Sequence, residues 1–271
     1  MNIIQGIILG IVQGLTEFLP ISSTAHLRIV PAFFGWNDPG AAFTAITQLG
    51  TMAAVLHYFR RDLWGIVKGL FAGLTSVQSR STESFRMGMY IILGTIPICI
   101  FGLVFSHQIE TKARSLYLIS TTLIALGLLL LFAEAKGRRK KDLSSLTLRD
   151  GMFFGLAQAL ALIPGVSRSG STITAGLFLG FNREAAARYS FLLSVPAVVL
   201  SGAFELRKIG EGGAIPIGPT VVATLFAFIV GWLSIAGLLK FLNTHSTMVF
   251  VVYRVILGIV VASLTATAVI A

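Results

Sequence analysis

The stretch Gln13-Gly14-Leu15-Thr16-Glu17-Phe18-Leu19-Pro20-Ile21-Ser22-Ser23-Thr24-Ala25-His26 interrupts an otherwise apolar run over residues 2–35. An amide, a carboxylate, a cluster of hydroxyls and an imidazole sit between residues that belong in hydrocarbon. A second apolar stretch, 151–181, is broken in the same manner by Pro164-Gly165-Val166-Ser167-Arg168-Ser169-Gly170-Ser171-Thr172. Irregular backbone at membrane depth is tolerated only where it is buried in protein or lines a wet cavity. Each stretch therefore reads as a re-entrant helix–loop–helix, with two short full spans as the alternative.

The rest of the chain supports a membrane setting. Of 271 residues, 55% are hydrophobic and only 12% charged, about half the charged share of a soluble domain. The mean hydropathy is +0.86. A soluble domain, a disordered chain and a fibrous repeat are excluded, and the lone Cys99 excludes a disulfide scaffold. Apolar runs long enough to cross a bilayer occur at about 41–59, 87–106, 116–134, 185–206, 219–242 and 247–270. The 28 glycines suit close helix packing. Met1–Leu19 lacks a basic leader region and a small-residue cleavage site, so it is not read as a removable signal. The expected fold is an all-α polytopic membrane protein with six transmembrane helices and two re-entrant segments.

The net charge of +10 is scattered among the spans rather than gathered on one face, which argues against nucleic acid. It sorts by topology instead. With Lys136–Lys141 placed in the cytoplasm, the 60–86 loop falls inside too, and fourteen basic residues lie inside. Lys112, Arg114, Arg207 and Lys208 fall outside, while Arg28, Arg168 and Arg254 sit within apolar segments. Both termini are then expected outside.

An offset of 145 residues aligns the two broken stretches without a gap, with ten identities in 37 positions, among them Gly6/Gly151, Gly10/Gly155, Gln13/Gln158 and Ser22/Ser167. Residues 1–135 and 150–271 are thus expected to be two copies within a single membrane domain spanning 1–271. Three full spans per copy make the second inverted, which places a functional site near the midplane where the broken helices meet. Gly6, Gly10 and Gly14 form one stripe, as do Gly151, Gly155 and Ala159, and both are expected to be packing surfaces.

The copies diverge where chemistry is expected. The first keeps Glu17, Ser22, Ser23, Thr24 and His26; the second has Leu162, Arg168 and Ser171 opposite Glu17, Ser23 and His26. One composite site follows better than two equal ones. Gln13 and Glu17 share a helix face, and an intramembrane carboxylate calls for a cationic partner, either Arg168 or a divalent metal. The competing reading is a purely structural Glu–Arg brace. Glycines, hydroxyls and a guanidinium from Pro164 to Thr172 have the make-up of a phosphate cradle, followed by a helix from about 171 whose positive end would face the anion; the competing reading is a helix break with an interfacial arginine. With Arg168, the hydroxyls of Ser22, Thr24, Ser167, Ser169 and Thr172 are the expected phosphate-binding groups. His26 lies three residues after Ser23, which suits an activated hydroxyl or proton transfer; the competing reading is a histidine that hydrogen-bonds one helix to another. His57, His107 and His245 lie at span ends and read as interfacial, Cys99 as packing. Arg254 either reaches the site or braces it.

Two motifs resemble those of the undecaprenyl-pyrophosphate phosphatase family, the bacitracin-resistance proteins. Gln13 to His26 resembles the family's (Glu/Gln)-x-x-x-Glu region and its Ser-Ser-Thr-x-His continuation. Pro164 to Thr172 resembles its Pro-Gly-x-Ser-Arg-Ser-x-x-Thr motif. The resemblance covers nearly the whole chain. It implies hydrolysis of undecaprenyl pyrophosphate to the monophosphate and inorganic phosphate, which recycles the carrier lipid of bacterial wall synthesis and confers bacitracin resistance. It implies a divalent cation, Mg²⁺ or Ca²⁺, and a site open to the outer, periplasmic face of the cytoplasmic (inner) membrane. Glu17, Ser23, His26, Ser167, Arg168 and Thr172 fall on positions the family uses for catalysis or phosphate binding. Glu17 is the expected metal ligand. Gln13 takes a position where a second carboxylate would help hold the metal, so its help is limited to a neutral amide oxygen.

The expected partners are the polyprenyl diphosphate and membrane lipids, with a homodimer left open. A secondary transporter or lipid flippase is the main alternative, since inverted repeats with midplane polar sites are typical of those. A non-catalytic scaffold is a third. The asymmetry of Glu/Ser/His against Arg/Ser favours the enzyme.

Overall fold

The computed structural model describes residues 1–105, 115–206 and 216–270. Lys112, Arg114, Arg207, Lys208 and His107 lie outside the described residues. Among those described are eleven α-helices, with a single isolated bridge between Lys141 and Phe181 as the one β-type contact.

The first broken stretch forms α1 (Ile3–Phe18) and α2 (Ser23–Phe33). Asn2 and Gln5 close a reciprocal capping box at the start of α1, satisfying two backbone donors that have no intrahelical partner. The helix stops before Pro20: Leu19 is extended, with ψ 143°, because a following proline disfavours the helical region. The second stretch forms α7 (Leu148–Ala159), started by a Thr147–Asp150 capping box, and α8 (Arg168–Phe178). The sequence placed the start of this last helix near 171. It begins three residues earlier because the Ser167 hydroxyl accepts from the Gly170 N–H and caps it.

The remaining helices are α3 (Gly40–Tyr58), α4 (Arg60–Thr75), α5 (Glu83–Val104), α6 (Leu116–Lys136), α9 (Arg183–Leu206), α10 (Ile217–Thr244) and α11 (Met248–Ala266). Five of them, α5, α6, α9, α10 and α11, are long and apolar enough to cross a membrane. This is a multi-pass, all-α membrane protein. The expected span at 41–59 forms the 19-residue helix α3; carrying Thr44, Thr47, Gln48 and Thr51, it is not among those five. The expected loop 60–86 also differs, since it contains α4. Gly69 and Gly73 bring this helix onto Ser84 and Phe85 at the start of α5, while Trp64, Phe71 and Leu74 stay exposed.

Close helix contacts arise where side chains are missing. α1 lies along α10, and a Cβ at Gly10 would come within 2.3 Å of the Ala223 carbonyl oxygen. α7 meets α5 in the same way, with a Cβ at Gly155 only 2.2 Å from the Gly94 carbonyl oxygen. The glycine stripes are therefore packing surfaces. α6 pairs with α11, and α3 packs on both α9 and α10. α8 is held between α6, α7 and α9. At one end of the bundle Glu134 of α6 is buried and accepts from Arg183, from Arg139 at 2.7 Å and from the Thr247 hydroxyl at 2.8 Å. Two guanidinium groups compensate the buried carboxylate and tie α6 to the starts of α9 and α11. The two helix breaks meet deeper in the bundle.

Candidate functional site

Glu17, in the last turn of α1, is 8% exposed and accepts four donors. Its Oε2 receives Gln13 Nε2 at 2.9 Å and the Ser23 hydroxyl at 2.6 Å. Its Oε1 receives Gln48 Nε2 at 3.2 Å and the Arg168 guanidinium. Gln13 reaches it because residues four apart share a helix face. Ser23 reaches it because the chain reverses at Pro20 and Ser22.

That reversal has an unusual backbone. Ser22 has φ 75°, and Ser167, which the 145-residue offset aligns with it, has φ 69°. A non-glycine residue held there costs about 1–3 kcal/mol, and such residues cluster at functional sites. Each serine is the N-cap of the helix that follows. Ser23 and Arg168 are consequently the first residues of α2 and α8, and both side chains end on Glu17.

Arg254 of α11 holds the two breaks together. Its side chain is 1% exposed and donates to the carbonyls of Pro20 in the first break and of Gly165 and Val166 in the second, at 3.0–3.2 Å. It also donates to Leu123 and Thr122 of α6 at 3.2 and 3.3 Å. Of its two expected roles it takes bracing. Thr122 adds a bond to the Pro164 carbonyl at 2.7 Å. Next to it Gly165 has φ +86°, and a Cβ there would lie 2.0 Å from the Thr122 hydroxyl.

The other hydroxyls are mostly committed to backbone. Ser22 and Ser167 cap their helices, and Ser169 donates to the Leu19 carbonyl at 3.0 Å, linking the breaks. Thr172 is buried, donates to the Arg168 carbonyl at 2.7 Å and touches Ser190, so it fixes the start of α8. Thr24 is exposed beside Ser22. Ser23 is the hydroxyl joined to the carboxylate.

His26 is placed differently from expectation. Its Nδ1 lies 2.7 Å from the Ser22 carbonyl oxygen, which can only accept, so Nδ1 carries a proton. Its Nε2 is 2.7 Å from the Tyr253 hydroxyl, and the two rings stack at 9°. Among the described hydrogen bonds, Ser23 is joined to Glu17 rather than to His26. The Ser23 hydroxyl turns back across the break to Glu17, while the imidazole is drawn toward Tyr253 of α11. Sequence reasoning also passed over Tyr253 and Gln48. A lone amide inside an apolar span is a site signal in its own right, and Tyr253 adjoins the singled-out Arg254.

Among the described residues, no three His, Cys, Asp or Glu side chains gather into a metal cluster. The oxygens at the site are the Glu17 carboxylate, which a cation would share with the donors already on it, the Ser23 hydroxyl, and Gln13 Oε1, which is buried without a partner. These are hard donors of the kind Mg²⁺ and Ca²⁺ take.

Membrane-crossing helices around a buried carboxylate, a hydroxyl and a guanidinium define an integral membrane protein with a polar site between its two helix breaks. Residues 6–260 match the family model of the bacitracin resistance protein BacA, and the chain belongs to that family. It is 52% identical to a protein named undecaprenyl-diphosphatase from Nocardioides sp., covering 100% of this chain and 99% of the relative. It is 54% identical to the protein so named from Paenarthrobacter aurescens, covering 96% of this chain and 95% of the relative. With that of Chlorobaculum tepidum it shares 53% identity over 96% of this chain and 95% of the relative.

Proposed function

We propose that this chain is an undecaprenyl-diphosphatase, releasing inorganic phosphate from the lipid diphosphate and leaving the monophosphate. The observation that carries the reading is the convergence of Ser23 and Arg168 on Glu17. The relatives' shared name supports the substrate.

In this reading Arg168 and the donors at the start of α8 hold the diphosphate, matching the charge that develops at the transferring phosphoryl group. Ser23 Oγ attacks the terminal phosphorus while its proton passes to Glu17, to which it is already hydrogen-bonded. The P–O bond to the lipid monophosphate breaks, and water then cleaves the phosphoserine. A variant of the same arrangement has Ser23 and Glu17 orient a water that attacks directly. Trapping a phosphorylated species on Ser23 or His26 distinguishes the routes. Glu17 and Gln13 Oε1 would hold a divalent cation, with the substrate's phosphate oxygens filling its shell, as is usual for Mg²⁺. When bound, the cation supplies charge neutralisation of the diphosphate.

The proposal includes the layout. Residues 1–135 and 150–271 are taken as inverted copies in one membrane domain, the broken helices as re-entrant, and the site as open to the periplasmic face of the bacterial inner membrane. The matched left-handed serines and the parallel α1–α10 and α7–α5 glycine contacts support the duplication. Labelling of single cysteines introduced at positions 110 and 138 tests orientation; equal labelling from one side overturns it.

The deciding experiment is phosphate release from undecaprenyl diphosphate by the detergent-purified chain, compared with Glu17→Ala and Arg168→Ala. Release by the wild type and its loss in both variants is expected. No release, together with movement of the lipid in proteoliposomes, replaces this reading with transport.

A further inference from the structure

The four donors on Glu17 divide evenly between its oxygens. Oε2 holds Gln13 and Ser23, while Oε1 holds Arg168 and Gln48. A carboxylate has about four lone-pair sites, so each oxygen is filled. Gln48 Nε2 donates to Oε1 at 3.2 Å from α3, a helix that belongs to neither break. Along α3 the hydroxyls of Thr44, Thr47 and Thr51 donate to carbonyls of their own helix at 2.9–3.0 Å. Among the described hydrogen bonds, Gln48 is the polar side chain of this stretch that reaches another helix.

Both ends of this contact are fixed by close backbone packing. A Cβ at Gly50 of α3 would lie 2.2 Å from the Thr224 carbonyl oxygen, and one at Gly14 of α1 would lie 2.8 Å from the Gly231 nitrogen. The helices that carry Gln48 and Glu17 are thus both seated on α10. The 145-residue offset supplies an internal comparison, since it puts Leu162 opposite Glu17 and Leu193 opposite Gln48. Leu193 is buried. The acid and the amide occur together on one side of the offset and are both leucine on the other.

We propose that Gln48 is a positioning residue for the base Glu17, holding its carboxylate toward Ser23 while Arg168 turns to the diphosphate. The proposal rests on the phosphatase reading above. In that reading Arg168 serves two acceptors, Glu17 before the substrate binds and phosphate oxygens afterwards. Each bond the guanidinium gives to phosphate weakens its hold on Oε1, and Gln48 is the donor that remains there. Oε1 stays anchored, and Oε2 stays on the Ser23 hydroxyl. Without Gln48 the carboxylate turns about its last torsion, which is broad and roughly two-fold, and the proton acceptor is misplaced when Ser23 attacks. The amide is neutral and donates through nitrogen, so its part is orientation.

The test is phosphate release from undecaprenyl diphosphate by the full-length protein in detergent, with thermal unfolding measured on the same samples. Gln48→Met keeps the length of the side chain and loses the donor. It should lower kcat by about tenfold or more, the worth of one hydrogen bond to a charged group. KM should stay within roughly twofold of the wild type, and the melting temperature should not change. Added to Glu17→Gln, it should lose nothing further, because residues that act as a unit are non-additive. A residue that only packs would multiply the two losses. An unchanged kcat, a rise in KM alone, or multiplied losses in the double variant overturn the proposal. If Gln48→Met does not fold, Gln48→Asn, whose shorter amide does not span to Glu17, is measured in its place with the same expectations. Phosphate release by the wild type on the same preparation separates the two failures. Its absence removes the phosphatase reading and this role with it, whereas an active wild type beside an equally active Gln48→Met removes the role alone.

Discussion

The Ser23 hydroxyl is 2.6 Å from Glu17 Oε2, although the two lie six positions apart across a helix break. A serine is a weak nucleophile until a base takes its proton, and here the base within reach is a carboxylate rather than the imidazole three residues on. The acid lies at the end of one helix and the hydroxyl at the start of the next, so the break itself creates the pair.

Glu17→Gln keeps the shape and removes the acceptor charge. Phosphate release should fall by about 10²–10⁴, the usual worth of a positioned base. Ser23→Ala should fall comparably, and the double variant should be little worse than the poorer single one, because residues acting as a unit are non-additive. Single-turnover phosphate release measures all three; a fully active Ser23→Ala removes the nucleophile.

Arg168→Lys keeps a positive charge and loses the planar fork. A hydrogen bond to a charged group is worth about 1.5–3 kcal/mol, so kcat/KM should fall by roughly 10- to 100-fold. Arg168→Ala should fall further. Steady-state kinetics on both variants gives the comparison.

Arg254→Met should damage the fold before the chemistry. It leaves carbonyls from Pro20, Gly165 and Val166 without their donor in a buried place. A loss of about 3 kcal/mol or more is expected, with Arg254→Lys intermediate. Thermal unfolding in detergent reads this directly.

Ser167→Gly and Ser167→Ala separate backbone strain from capping. Both remove the hydroxyl that caps α8, but only glycine relieves the positive φ of 69°. The glycine variant should be more stable than the alanine variant by roughly 1 kcal/mol. Equal stabilities would show that the left-handed turn carries no strain.

Tyr253→Phe removes the hydroxyl 2.7 Å from His26 Nε2 and leaves the stacked ring in place. With one hydrogen bond worth about 1 kcal/mol, kcat should fall roughly fivefold with little change in KM. Unchanged kcat would place the His26–Tyr253 pair outside the reaction.

How much of this was legible in the chain follows from the range of each interaction. Hydropathy and proline placement are local, so the helical membrane class, both breaks and the residues in them were readable before any contact was known. The spacing of Gln13 and Glu17 predicted a shared face for the same reason, and one was found. The amphipathic α4 was hidden because its basic residues, Arg60, Arg61 and Lys68, read as loop charge while its apolar residues are interrupted by glycines and polar positions along the chain.

Composition therefore determined by itself that the protein is a bundle of apolar helices with two polar interruptions, because hydrocarbon tolerates little else. Only the tertiary structure decided which polar groups meet. Glu17 and Arg168 are 151 residues apart, His26 and Tyr253 227, and Arg254 reaches two breaks at once. Those pairings depend on how α1, α8 and α11 cross. Their closeness is set by side chains that are absent: glycines let α1 and α7 approach their neighbours, which no one-dimensional pattern specifies.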